Sequence, residues 1–163
     1  QGPHLWNNLW RLGVPGKVCL FTWRLAHNSL PTRLNIKRKQ VELDTRCPMC
    51  WRLDEDGGHL FLKCKEVKAL WREQCLEDVW LKLCECKNPK EVLNKIWMLP
   101  QEHQVHVVTL LWDWWTTRNK VNAGEKARST TETSAFITKH LLDFSLELKT
   151  ATSSAPPNHG APA

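Results

Sequence analysis

Residues 47 to 64 read CPMCWRLDEDGGHLFLKC and carry four residues of metal-binding type: Cys47, Cys50, His59 and Cys64. Their spacing is C-x2-C-x8-H-x4-C. Zinc takes four such ligands in a tetrahedron, with Zn–S bonds of about 2.3 Å and Zn–N bonds of about 2.0–2.1 Å. Two cysteines separated by two residues grip one ion from a tight turn, and Pro48 between them favours that turn. The loop WRLDEDGG is polar and ends in two glycines, so it can fold back to bring His59 and Cys64 to the same ion. The mixed thiolate–imidazole set selects zinc over harder or redox-active metals. With all four positions filled by protein, no coordination site remains for a reacting water, so the expected cofactor is one structural Zn2+.

Geometry restricts the second half of this clamp. On a regular helix, residues five apart point about 140° away from each other. His59 and Cys64 therefore cannot both face one ion from an undistorted helix. The expectation is a helical turn starting near His59 that breaks or tightens at Lys63–Cys64, with a new helix near Glu66 and with Leu60, Phe61 and Leu62 anchoring the turn.

The elements that must hold the clamp are helical almost throughout. HLWNNLWRL and VPGKVCLFTWRLAHNSLP place apolar residues at helical spacing. Pro15 suits a first turn, Pro31 ends the second segment, and Thr32 is a cap for a short helix in TRLNIKRK. The stretch 65–85 repeats the pattern. Asn88, Pro89 and Glu91 form a capping box for the next helix. Residues 101–119 are apolar nearly all round, which marks a central buried helix, and 131–148 has one apolar face. The fold expected is mainly α: a compact, Trp-rich helical domain with one CCHC zinc knuckle. A small hairpin at the Cys47–Cys50 turn is the one plausible β element. The ten tryptophans, in a chain without tyrosine, read as core packing. The organisation expected is a tag remnant at 1–3, the domain at 4–149 and a flexible Pro/Ala-rich tail or linker at 150–163.

Seven cysteines without a secretory leader favour metal and reduced thiols over disulfides. Cys19, Cys75, Cys84 and Cys86 follow no ligand spacing and read as free thiols. No apolar run approaches the roughly 18 residues of a membrane span. An intracellular location, nucleus or cytoplasm, is expected, with neither a membrane nor a small-molecule substrate as partner. The net charge of +6 comes wholly from residues 1–46, where eight lysines and arginines face two acids. Such asymmetry fits a polyanionic partner. The expected RNA or DNA contacts are Arg33, Lys37, Arg38, Lys39 and Arg46, with Arg52 beside them. Trp51 is a candidate for base stacking or for packing over the zinc turn, and His27 and Asn28 are candidate polar contacts.

The residues Val14-Pro15, Lys17-Val18, Phe21, Trp23-Arg24, His27, Leu30-Pro31-Thr32, Cys47-Pro48, Cys50, His59-Leu60-Phe61, Cys64 and Trp71 resemble the zinc-binding domain that follows the reverse transcriptase of plant LINE-type (non-LTR) retroelements. The resemblance covers roughly residues 6–71. LLWDWWTTRN (110–119) looks like the helix that commonly precedes a ribonuclease H domain in these elements, and the proline-rich tail resembles the joining linker. HNSLPTR (27–33) is similar to a motif preceding the knuckle in other non-LTR proteins. There the resemblance implies contact with RNA or target DNA. No polymerase carboxylate motif and no ribonuclease H carboxylate set accompany it, so a non-catalytic accessory module is expected. The alternative expectation is a domesticated or fused domain that works as a protein-interaction module.

Overall fold

A computed structural model describes residues 2–154. Eight α-helices and one π-helical turn are present among them: α1 (Gly2–Arg11), α2 (Gly16–Ala26), α3 (Arg33–Lys37), the π turn (His59–Lys63), α4 (Lys65–Glu73), α5 (Glu77–Cys84), α6 (Pro89–Trp97), α7 (Gln101–Asn122) and α8 (Thr130–Ser154). The expected mainly helical fold is what the chain adopts. No strand forms among the described residues. The hairpin at the knuckle reduces to a single antiparallel bridge, Arg46 to Asp54, flanked by the bonds Cys47 N–H to Leu53 O (2.8 Å) and Glu55 N–H to Thr45 O (2.8 Å). Helix α8 runs to Ser154, inside the stretch read as tail; residues 155–163 of that stretch lie outside the described residues, as does Gln1.

The local signals act as their chemistry requires. Thr32 caps α3 by accepting the Asn35 N–H at 3.3 Å. Asn88 caps α6 by accepting the Glu91 N–H at 2.9 Å. The returning bond from Glu91 accepts the N–H of Lys87 at 2.7 Å, one residue before the box position. Helix α2 ends on Asn28, which takes a left-handed conformation (φ 51°), one of the few residue types that tolerates it. Helices α4 and α5 are one apolar pattern cut by Cys75, also left-handed at φ 58°.

Helix α7 is central. It packs on α8, α2 and α6, and Val107, Val108, Leu110, Leu111, Trp114 and Trp115 are buried along it. Four of its polar residues, Thr109, Asp113, Thr117 and Arg118, are buried too. Asp113 pairs with His140 of α8 at 2.9 Å, and desolvation raises the Asp113 carboxyl above its ordinary value. Thus α7 is held on α8 by a polar clasp as well as by apolar area. Helix α4 lies against both α8 and the π turn. That arrangement carries the second half of the zinc clamp into the middle of the fold.

Candidate metal centre

The four ligand atoms of Cys47, Cys50, His59 and Cys64 lie within 4.8 Å of one another. Zinc bonds of about 2.0–2.3 Å hold ligand atoms roughly 3.3–3.8 Å apart. Cys50 Sγ and His59 Nε2 are already 3.3 Å apart. Closing the set on an ion needs movements of at most about 1 Å. Cys47 and Cys64 are fully buried, and His59 is 8% exposed. Burial pushes the His59 imidazole below its ordinary pKa, which favours the neutral ring that binds metal. A hydrogen bond between Cys47 and Cys64 pushes the Cys47 thiol up and the Cys64 thiol down. The donor set, its closure and its burial all fit one structural zinc.

The first half of the clamp is built locally. The turn Cys47-Pro48-Met49-Cys50 is closed by the Trp51 N–H to Cys47 O at 2.7 Å. The backbone N–H groups of Met49 and Cys50 bond the Cys47 sulfur and favour its thiolate form. Trp51 leaves the turn at φ 56°, a position where a side chain is strained. Its half-exposed ring lies under two guanidinium groups, Arg33 at 4.7 Å and Arg46 at 5.6 Å.

The second half is built at a distance. The expected break between His59 and Cys64 exists, but the helix widens instead of tightening. The Cys64 N–H bonds the His59 carbonyl at 2.6 Å, an i to i+5 closure. This closure brings Cys64, the sixth residue, over His59, the first, so both side chains reach one ion. Asp56 starts the turn by accepting the His59 N–H at 2.7 Å. Cys64 then turns to an extended conformation and α4 begins at Lys65, one residue before the expected start. Ending the turn at the extended Cys64 has a cost: carbonyls that a continuing helix would satisfy lose their partners. Three consecutive ones are rescued by tryptophan. Trp114 Nε1–H donates to Leu60 O (2.8 Å), Trp71 to Phe61 O (2.9 Å) and Trp80 to Leu62 O (2.8 Å). The tryptophans read as packing residues thus include three that also hold the metal turn open.

The two halves are joined by a residue absent from the sequence expectations. Glu55, in the acidic loop, is fully buried. Its carboxylate accepts Arg118 Nε at 2.8 Å, Arg118 Nη2, and the Arg33 backbone N–H at 2.8 Å. Arg118 is itself buried on α7 and stacks on Trp115. One buried ion pair ties the knuckle loop, α3 and α7 together. The only hint in the sequence was an arginine inside the helix read as buried nearly all round, 63 residues from its partner.

The expected nucleic-acid residues divide into two groups. Arg33 and Arg46 are tied down: Arg33 donates to Asn122 Oδ1 (2.9 Å) and Asp44 O (3.0 Å), and Arg46 pairs with Asp44 at 2.7 Å. Lys37, Arg38 and Lys39, at the end of α3, are exposed and have no carboxylate partner among the described residues. Arg52 is exposed beside the knuckle. His27 is exposed but engaged locally: its Nδ1 contacts the Trp23 carbonyl at 2.8 Å and its ring lies tilted 4.2 Å from that of Trp23.

A helical domain pinned by a closed Cys3His zinc clamp is the class of protein that this geometry defines. Residues 1–71 match the family model described as zinc-binding in reverse transcriptase, and the match supports a reverse-transcriptase zinc-binding domain in that part of the chain. No curated protein and no solved structure matches. The matched segment ends at Trp71 and so contains all four ligands. Trp80, Trp114 and Arg118, which support two carbonyls of the π turn and the knuckle loop, come from beyond it.

Proposed function

We propose that the chain is a non-catalytic accessory module of a retroelement-derived protein, of the plant LINE type that the motifs resemble, and that it holds RNA or DNA beside the polymerase. The observation that carries this reading is the cluster Lys37, Arg38 and Lys39. It is exposed and free of carboxylate partners, and it sits on a segment whose two ends are fixed by the Thr32 cap and the zinc turn. Phosphates would meet it by Coulomb attraction with counterion release. Arg33, Arg46 and Trp51 form a stacked edge next to it, and guanidinium planes offer further stacking for unpaired bases. The zinc positions this surface and performs no chemistry, because every ligand position is taken by the chain.

The test is binding of single-stranded and duplex RNA and DNA at two salt concentrations, with charge reversal at all three residues. For single strands, three lost phosphate contacts should flatten the log–log salt dependence by about 2. No binding to any strand at low salt would sink the reading.

A second reading has its own observation. Trp6 and Trp10 of α1 are 42% and 60% exposed and pack edge-to-face at 5.5 Å, with Leu20 of α2 also exposed. Exposed apolar groupings of this kind mark protein contacts, which fits a protein-interaction module. Trp10→Glu discriminates: loss of a partner complex with strand binding unchanged would assign that face to protein.

A further inference from the structure

Next to the basic cluster lies an open cleft of about 210 Å³ between the end of α2, α3, the start of the π turn and the start of α6. Its floor is apolar, formed by Leu25, Leu30, Phe61 and Leu62, all at most 7% exposed. Its rim is polar. Asn88 uses its Oδ1 to cap α6, and Asp56 uses its Oδ1 to start the π turn. The Asn88 amide N–H groups, the Asn28 amide N–H groups and Asp56 Oδ2 have no hydrogen-bond partner among the described residues. Arg38 and Lys87, from separate stretches of the chain, both line the cleft.

The size excludes most occupants. Sites for drug-sized ligands and cofactors run to about 300–1,000 Å³, so this cleft takes one flat ring system and not a whole nucleotide cofactor. An apolar floor with a few hydrogen-bonding groups at the edge is the environment that proteins offer an unstacked base. Unpaired amide donors and a carboxylate acceptor can meet the amino and carbonyl edges of such a ring. Arg38 and Lys87 put positive charge at the cleft for the phosphates that flank such a base. Asp56 is the one carboxylate lining the cleft, and an anion there disfavours a phosphate inside while accepting from a base amino group. The rival platform, Trp51, is already covered by Arg33 and Arg46.

We infer that this cleft is a pocket for a single unpaired nucleobase of a strand held by Lys37, Arg38 and Lys39. The inference rests on the nucleic-acid reading above and adds a base-dependent contact to a backbone-dependent one. Specificity for single strands over duplex follows, because a paired base cannot enter. Gly57 lines the cleft, and a Cβ placed on it meets no atom within 4 Å. A larger side chain there fills the mouth without disturbing the packed body.

The experiment uses the zinc-loaded chain and two single-stranded DNA probes of equal length, one with bases and one with abasic sugars, together with Gly57→Leu. Zinc content and melting temperature confirm that the variant is folded. The native chain should bind the base-bearing strand at least tenfold more tightly than the abasic one. Gly57→Leu should remove most of that difference and leave abasic binding within twofold. Equal binding of both probes by the native chain overturns the pocket while leaving the phosphate-binding reading intact. A preference for bases that Gly57→Leu leaves unchanged places base recognition elsewhere and also overturns it. No binding of either probe overturns both readings together.

Discussion

The two halves of the zinc clamp hold equivalent ligands by opposite means. The Cys47–Cys50 half, buried at Cys47 and partly exposed at Cys50, is shaped by its own backbone, through the Trp51 N–H bond and the N–H groups aimed at the Cys47 sulfur. The His59–Cys64 half is buried and is shaped by residues up to 54 positions away, through three indole N–H groups and the packing of α4 and α7. The difference teaches that a ligand pair can be built from local turn chemistry or from tertiary structure, and that the metal joins the two. The contrast predicts that the local half needs the ion to fix it, whereas the buried half is largely fixed before the ion arrives.

Removing zinc is the strongest way to break this comparison. Structural zinc contributes about 10–16 kcal/mol of apparent binding free energy in small zinc-finger peptides. Here chelation should release the knuckle half while α7 and the π turn keep much of their order. Hydrogen exchange reads this directly: the Cys47 and Trp51 amides should lose protection, and amides within α7 should retain it. Simultaneous loss at both sites would show that the buried half depends on the ion as fully as the local one. Cys50→Ser, which removes one ligand, should give zinc loss and the same local pattern.

Glu55→Ala should cost about 3–5 kcal/mol, because it leaves the Arg118 guanidinium buried without its partner. Denaturant unfolding of the zinc-bound protein measures it. A loss below about 1 kcal/mol would mean that solvent reaches Arg118 and that the two halves are not joined through this pair.

Next come the indole donors. Trp71→Phe, Trp80→Phe and Trp114→Phe each keep an aromatic ring but orphan one carbonyl of the π turn, at about 1–3 kcal/mol apiece. All three should weaken zinc binding although none touches the ion. Unchanged zinc affinity in all three would refute the assignment of the turn to tryptophan support. The smallest effect is expected in the local half. Trp51→Gly relieves the strained backbone, by about 1–2 kcal/mol, and forfeits the arginine stacking, about 0.5–1 kcal/mol per pair. The net change should lie within about 1 kcal/mol in either direction.

The same contrast explains what could be read from the sequence. The four ligands, the Thr32 and Asn88 caps and the central position of α7 follow from short-range spacing, and the structure places each as the spacing requires. The incompatibility of His59 and Cys64 with one regular helix was legible from periodicity alone. The direction of the distortion was not. Tightening and widening both break the phase, and widening is favoured only where donors exist for the freed carbonyls. Those donors come from α4, α5 and α7. Glu55 was hidden for the same reason: among Asp54, Asp56 and two glycines it looks like a solvated loop residue, and only the fold brings Arg118 to it. The cations of α3 stand exposed where a charge count would put them, whereas Arg33 and Arg46 are held by Asn122 and Asp44.

The indole-supported turn has a consequence for how the molecule can be watched. Three tryptophans donate hydrogen bonds to the backbone that carries His59 and Cys64, so the width of that turn should be readable in their spectra. Their side-chain N–H protons should appear as distinct, slowly exchanging resonances when the turn is wide, and shift together if it closes to a regular helix. The chain therefore carries its own optical and magnetic gauge of that turn, with no added label: the signals should persist on chelation if the buried half holds without the ion, and shift together if it does not.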